Sequence, residues 1–261
     1  MNQVLIVTDL EGISGVSEIG QVLDTVSEGY RHACARLMAD TNAAVDGAFA
    51  GGAEAVYVWD GHGGGKNFIP GALDARAVQI DGTTVLAHLR DIDAMILVGM
   101  HAMSGTQRAF LDHTQSSASI FDYCYNGIRR GEITQECIFA GHFGIPCVAV
   151  SGDRAACEEA AAFRPGVFTA EVKSAEERNI AECIPDAEAE ARIFNAAKRG
   201  FEARASFEPY VIPLPFTISV TFTRADHCDN ACRNRPWVKR IDARTAERVS
   251  DKIETYYDIL L

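Results

Sequence analysis

No Cys-x-x-Cys pair occurs in the 261 residues, although the chain carries eight cysteines. Dispersed over this length, they do not read as a disulfide framework. Cys34, Cys137 and Cys147 sit in apolar patterns, where cysteine acts as a small hydrophobe. Cys228 and Cys232 flank a four-residue step beside His227, half of a zinc site at most, because a second Cys/His pair at structural spacing is missing. No apolar run reaches the roughly 18 residues of a membrane span. The chain starts Met-Asn-Gln and passes straight into an apolar run, with no basic segment, long hydrophobic stretch or cleavage signal. A reduced, cytoplasmic protein is the expectation. Clustered positive charge is scarce as well. Arg233–Arg235 and Lys239–Arg240 are short exceptions, and 24 basic against 36 acidic residues give a net charge of −12. That balance excludes nucleic acid as a partner and reads as a solubility feature.

Several hydrolase and nucleotide signatures are missing too. There is no Gly-x-Ser-x-Gly elbow and no His-Glu-x-x-His helix. Gly61–Gly65 is glycine-rich, but Lys66 is followed by Asn67 rather than the Ser or Thr of a phosphate-binding loop. These glycines read instead as a turn running close to reactive groups. No repeat, low-complexity stretch or flexible linker is visible. With 48% hydrophobic residues, a chain this long can bury a full core.

What is present alternates between strand and helix patterns. Val4–Val7, Ala55–Trp59, Ala94–Val98 and Pro146–Val150 are short apolar runs that read as buried strands, and Ala77–Ile80 is a further short one. Between Ser27 and Phe49, apolar residues recur at three- and four-residue steps, ended by Gly51-Gly52. Further helices are expected from Glu132 to Ala140, after Asp153 to Phe163, from Ala187 to Ala203 and from Ala243 to Leu260. Ser117–Tyr125 and Ile128–Arg130 read as a hairpin about Asn126-Gly127. Tyr210–Thr223 reads as one long strand whose Pro213 and Pro215 suggest an edge or a bulge. As an edge it is a candidate for subunit contact. The aromatics around Phe216, and Tyr256-Tyr257, read as packing. The fold class is therefore α/β, a mostly parallel central sheet flanked by helices, with a smaller mixed α+β part at the C-terminus. Residues 1–175 are expected to form the α/β catalytic domain and 176–261 a C-terminal α+β portion, either part of that domain or separate from it.

Open α/β sheets place ligands outside the carboxyl ends of their strands. The first strand delivers Asp9 and Glu11, two residues apart and so on one face while the chain stays extended. The second delivers His62, and the strand ending at Val98 delivers His101. Any one of these alone is an ordinary cap or loop residue. Together, two carboxylates and two imidazoles suit zinc, and the mixed donors admit manganese or cobalt. Glu132, at the start of a helix, would be a further acid, although a helix N-terminus favours a carboxylate anyway.

Asp9-Leu10-Glu11-Gly12-Ile13-Ser14-Gly15 resembles the N-terminal motif of the zinc D-aminopeptidase family encoded in bacterial dipeptide-transport operons. Asp60-Gly61-His62, Gly99-Met100-His101-Ala102 and Gly131-Glu132 are similar to its other ligand motifs, in the same order. Ser151-Gly152-Asp153-Arg154 and Ala170-Glu171-Val172-Lys173 extend the likeness to about residue 175, beyond which it weakens. The resemblance implies two zinc ions, with Asp9 bridging them, Glu11 and His62 completing one, and His101 and Glu132 the other. It also implies a catalytic histidine in a Ser-His-Ser context. The matching position is His113, set here in Asp112-His113-Thr114. A ring-like homo-oligomer acting on small peptides or aminoacyl amides is implied too. Charge counting agrees: +4 from two divalent ions is met by three carboxylates and one hydroxide, whose formation near neutral pH two such ions promote.

The expected reaction is cleavage of an amide bond, with the N-terminal residue released and His113 stabilising the oxyanion or protonating the leaving amine. Two-metal sites also cleave phosphoesters, and Lys66 and Arg108 are the basic residues nearest the motifs for such a substrate. A non-catalytic, metal-stabilised binding subunit is the other alternative. A structural zinc is usually closed by four protein ligands, which the proposed set does not supply.

Overall fold

The structure is a computed structural model and describes residues 2–261. In chain order the elements are β1 (Gln3–Thr8), a short α1 (Gly20–Leu23), α2 (Glu28–Ala50), β2 (Ala55–Asp60), β3 (Val78–Ile80), β4 (Ala94–Met100), β5 (Ile120–Tyr125), β6 (Ile128–Arg129) and α3 (Glu132–His142). There follow β7 (Cys147–Asp153), α4 (Arg154–Phe163), β8 (Phe168–Glu177), β9 (Ile180–Cys183), α5 (Asp186–Glu202), β10 (Phe216–Phe222), α6 (Ala225–Cys232), β11 (Lys239–Arg240) and β12 (Thr245–Ser250).

Seven strands form the larger sheet, in the order β3-β2-β1-β4-β7-β8-β9. All neighbours are parallel except β8 and β9. Its central strands β1, β4 and β7 are buried on both faces, as a sheet covered on both sides requires. In β1, Val4 and Ile6 pack with Leu37, Val45, Ile193 and Phe201 of α2 and α5, whereas Leu5 and Val7 face Ile133, Phe139 and the second sheet. Ser27 starts α2 by accepting the Tyr30 N–H at 2.9 Å, the N-cap bond that its hydroxyl can make.

The chain leaves β1 towards β2 and β3 on one side and returns to β4 on the other. The order therefore reverses between β1 and β4. Two neighbouring crossovers diverge there and leave a crevice beyond the strand ends, where open α/β sheets bind ligands.

The second sheet is antiparallel, in the order β11-β12-β10-β5-β6. It packs on the α3 side of the larger sheet through Tyr123, Tyr125, Phe216, Ile218 and Val220. Two sequence expectations change here. The strand expected over Tyr210–Thr223 begins only at Phe216, after both prolines, and lies in the interior of its sheet between β12 and β5. Its bulge falls at Thr221/Phe222. Phe216, Ile218, Val220 and Phe222 all point inward, so β10 is no subunit-contact edge. The helix expected over 243–260 is instead β12 followed by a single helical turn at Tyr256–Ile259. Its residues have unexceptional helix-forming character, but pairing with β10 buries Ala246 and Ser250, and tertiary pairing outweighs so weak a local preference. Among the described residues no helix is long and apolar enough to cross a membrane.

Candidate metal centre

The turn after β1 is stitched to the end of β4. Asp9 N–H donates to the Val98 carbonyl and Gly12 N–H to the Gly99 carbonyl, each at 2.8 Å. The backbones touch here: a Cβ on Gly99 would lie 2.2 Å from the Asp9 carbonyl oxygen, and one on Gly12 2.0 Å from that of Met100. Beneath the turn lies Lys173 of β8, fully buried, its ammonium donating to the carbonyls of Glu11, Ile13 and Val16 and lying 4.0 Å from the centre of the Phe110 ring. Ser14 donates through its N–H and hydroxyl to Asp40 at 2.8 and 2.6 Å. The loop after β2 is held by Asn67, which donates to Asp60 through its backbone and to the His62 carbonyl through its side chain. Gly63, Gly64 and Gly65 of this loop all have left-handed φ, a conformation that glycine adopts without strain.

These supports converge five side chains on one crevice. His62 Nδ1 lies 2.9 Å from Asp9 Oδ1 and 2.9 Å from Glu11 Oε2. One ring proton cannot serve both, and Glu11 Oε2 is buried without a hydrogen-bond partner. On the other side, His101 Nε2 is 3.3 Å from Asp9 Oδ2 and 3.2 Å from Glu132 Oε1, and it too is buried without a partner. His101 Nδ1 sits 3.0 Å from the Ala102 carbonyl. That carbonyl can only accept, so Nδ1 carries a hydrogen, and Nε2 is the atom left to face two carboxylates, with a proton or, in a neutral ring, with a lone pair free for a cation. Two groups of donors result, Asp9/Glu11/His62 and His101/His113/Glu132, each with its donor atoms within 4.8 Å of one another. Asp9 offers one oxygen to each side.

The electrostatics describe a site in need of positive charge. Burial opposes ionisation of Asp9, yet the His62 hydrogen bond and the His101 charge hold its carboxyl far below the usual range. Burial and then the Asp9 charge push Glu11 up to about 7. Burial works against a charged His62, but Glu11 and Asp9 raise it to about 11. His101 is likewise raised, against burial, by Glu132 and Asp9, while Glu132 is lowered, against burial, by His101. Protons on imidazoles thus supply the counter-charge that a divalent cation would supply instead.

His113 belongs to the same crevice. Its Nε2 is 3.4 Å from Glu132 Oε1, its Nδ1 3.1 Å from Ser117 Oγ, and its ring centre 4.3 Å from that of His101. Burial and the adjacent His101 push it down to about 4. All six residues singled out in the sequence therefore line one cleft of about 300 Å³. Neither Lys66 nor Arg108 lines it; Arg108 faces Glu176 at the surface. Cys228, Cys232 and His227 form no metal-holding group among the described residues.

Four further lining residues escaped the sequence reading: Trp59, Gln115, Glu136 and Tyr256. Gln115 has a left-handed φ of 67° and donates its N–H to Glu132 Oε1 at 2.7 Å, fixing that carboxylate. No sequence signal marks it. Glu136 follows Glu132 by one helical turn, a spacing that puts both on one face and that was available in the sequence. Tyr256 packs edge-on against Trp59 and Phe139, as the packing expectation holds, and also walls the cleft.

The family model described as D-aminopeptidase matches residues 2–261. A curated D-aminopeptidase of Bacillus subtilis (strain 168) is 26% identical over 222 residues, covering 82% of this chain and 79% of its own. In fold, the chain is similar to the solved structure titled "Zn-dependent D-aminopeptidase DppA from Bacillus subtilis, a self-compartmentalizing protease", with a TM-score of 0.91, 21% identity, and coverage of 99% of this chain and 95% of that one. With the match running from the first motif through the last strand, the chain belongs to the D-aminopeptidase family of peptidases and is a hydrolase.

Proposed function

We propose that the protein is a binuclear zinc aminopeptidase that releases an N-terminal D-amino acid from short peptides or aminoacyl amides. The observation that carries this reading is the split of Asp9, whose two carboxylate oxygens face different histidines. On this reading Asp9 would contribute to both metal sites, with Glu11 and His62 holding one ion and His101 and Glu132 the other. The orphaned Glu11 Oε2 and His101 Nε2 are the atoms such ions would satisfy. Carboxylate and imidazole donors suit zinc and would accept manganese or cobalt. Three protein donors per ion leave positions open, which favours catalysis over a closed structural site.

The cations would supply Lewis-acid polarisation of the scissile carbonyl and an activated water. The chain's own residues do the rest. Gln115 N–H holds Glu132 in place, and the Ala102 carbonyl orients His101. His113, positioned by Ser117, stabilises the developing oxyanion or hands a proton to the leaving amine. The lining of the cleft includes neither Lys nor Arg among the described residues, which disfavours a doubly charged phosphoester. The relative's description as self-compartmentalizing supports extending to this chain a ring-like homo-oligomer that admits only small substrates, and we place it in the cytoplasm.

Metal analysis of zinc-loaded protein, with a panel of D- and L-aminoacyl amides and phosphoesters, tests the reading. Two zinc ions per chain and turnover of the D-aminoacyl amides are expected. A single ion, or preference for the phosphoesters, would overturn it.

A further inference from the structure

Glu136 is the one acidic residue of the cleft without an assigned partner in the metal scheme. It is only 7% exposed, lines the same cleft as the six site residues, and has one carboxylate oxygen, Oε2, buried with no hydrogen-bond partner. The Tyr256 hydroxyl acts on this carboxyl from the wall of the same cleft. Ionising a buried carboxyl that is short of donors is costly, and such a group calls for a partner that the cleft's own residues do not supply.

Its place in the cleft says what that is. Residues i and i+4 of a helix have Cβ atoms about 5–6 Å apart, so Glu136 stands one short step beyond Glu132. In a substrate with a free N-terminus, the α-ammonium is two bonds from the carbonyl carbon. A scissile carbonyl beside Glu132 therefore brings its own ammonium within reach of the next turn of α3. The cleft also has a direction. A second cavity continues from it, sharing Trp59, Gly61, Gly64, Gln115 and Tyr256, but Glu136 lines only the metal cleft. Glu136 stands with the metal-holding residues on the cleft side of the shared Trp59–Tyr256 wall, and the adjoining cavity lies on the other.

Resting on the aminopeptidase reading, we propose that Glu136 binds the free α-ammonium group of the substrate, with Tyr256 orienting it, and that the residues after the scissile bond run outward into the adjoining cavity. This makes the site select unblocked N-termini. A blocked N-terminus would set a neutral amide against a buried carboxylate, leaving the charge unpaired.

The test uses zinc-loaded protein and Glu136→Gln, which preserves shape and removes the charge. Calorimetry with DL-alaninol, an amine with no scissile bond, reads binding directly. Affinity is expected to fall at least about tenfold in Glu136→Gln, with zinc content unchanged. The ratio of kcat/KM for an alanyl amide over its propionyl counterpart, which lacks the amine, is expected to collapse by a similar factor. Unchanged alaninol affinity, undetectable binding to the wild type, or equal loss on both amides would overturn the assignment. Should neither amide be turned over by the wild type, the aminopeptidase reading fails on its own, while the binding measurement still decides for or against Glu136 as an ammonium site.

Discussion

His113 stands apart from the other two histidines of the cleft by its partners. His62 and His101 each face two carboxylate oxygens, while His113 faces Glu132 with one nitrogen and the Ser117 hydroxyl with the other. Its donor atom could complete a group with His101 and Glu132, so geometry alone permits either a ligand or a catalytic role. The two roles separate in one variant. His113→Ala should lower turnover about 10²–10³-fold, the usual loss for one oxyanion donor, with both zinc equivalents retained in elemental analysis. Departure of one equivalent would make it a ligand, and the proton-transfer role would have to be abandoned.

At the level of elements, the centre depends on how closely β4 approaches the turn after β1. Gly99 has a φ of +78°, and a Cβ there would also fall 2.5 Å from the Ile13 side chain. Gly99→Ala must therefore strain the backbone and push the Asp9 turn off β4. A loss of roughly 3 kcal/mol or more in unfolding free energy is expected, together with weakened zinc binding, since Asp9 moves with the turn. Retention of both stability and metal would show that the contact relaxes freely. This close approach was invisible in the sequence, although its participants were not. The parallel strands β1, β2, β4 and β7 were legible because they are apolar runs ended by polar or glycine-rich turns, and α2 because its period is plain; β8, parallel to β7, was not read as a strand. The five proposed ligands were legible because each follows such a run or opens a helix. Gln115 and Tyr256 were not, because they reach the cleft only when the antiparallel sheet folds back onto α3. The same non-local pairing turned an expected C-terminal helix into β12, and an expected edge into the interior strand β10.

For the whole molecule, the five proposed ligands come from four separate stretches: the turns after β1, β2 and β4, and the first residue of α3. In the unfolded chain these donors are far apart in sequence, so cations held by them bind the native state almost alone. Such binding stabilises by RT ln(1 + [L]/Kd), about 2.7 kcal/mol per site at a hundredfold excess over Kd. In a chain of this size each kcal/mol moves the melting temperature by about 2–4 °C. Chelation should therefore lower Tm by roughly 5 °C or more, and added zinc should restore it. Asp9→Asn, which weakens the shared carboxylate, should blunt the response to zinc more than Glu132→Ala, which touches one side only. Equal effects from the two variants would mean that Asp9 is not shared. A Tm indifferent to chelator would mean that imidazolium–carboxylate pairs, rather than cations, neutralise the buried acids of the native protein.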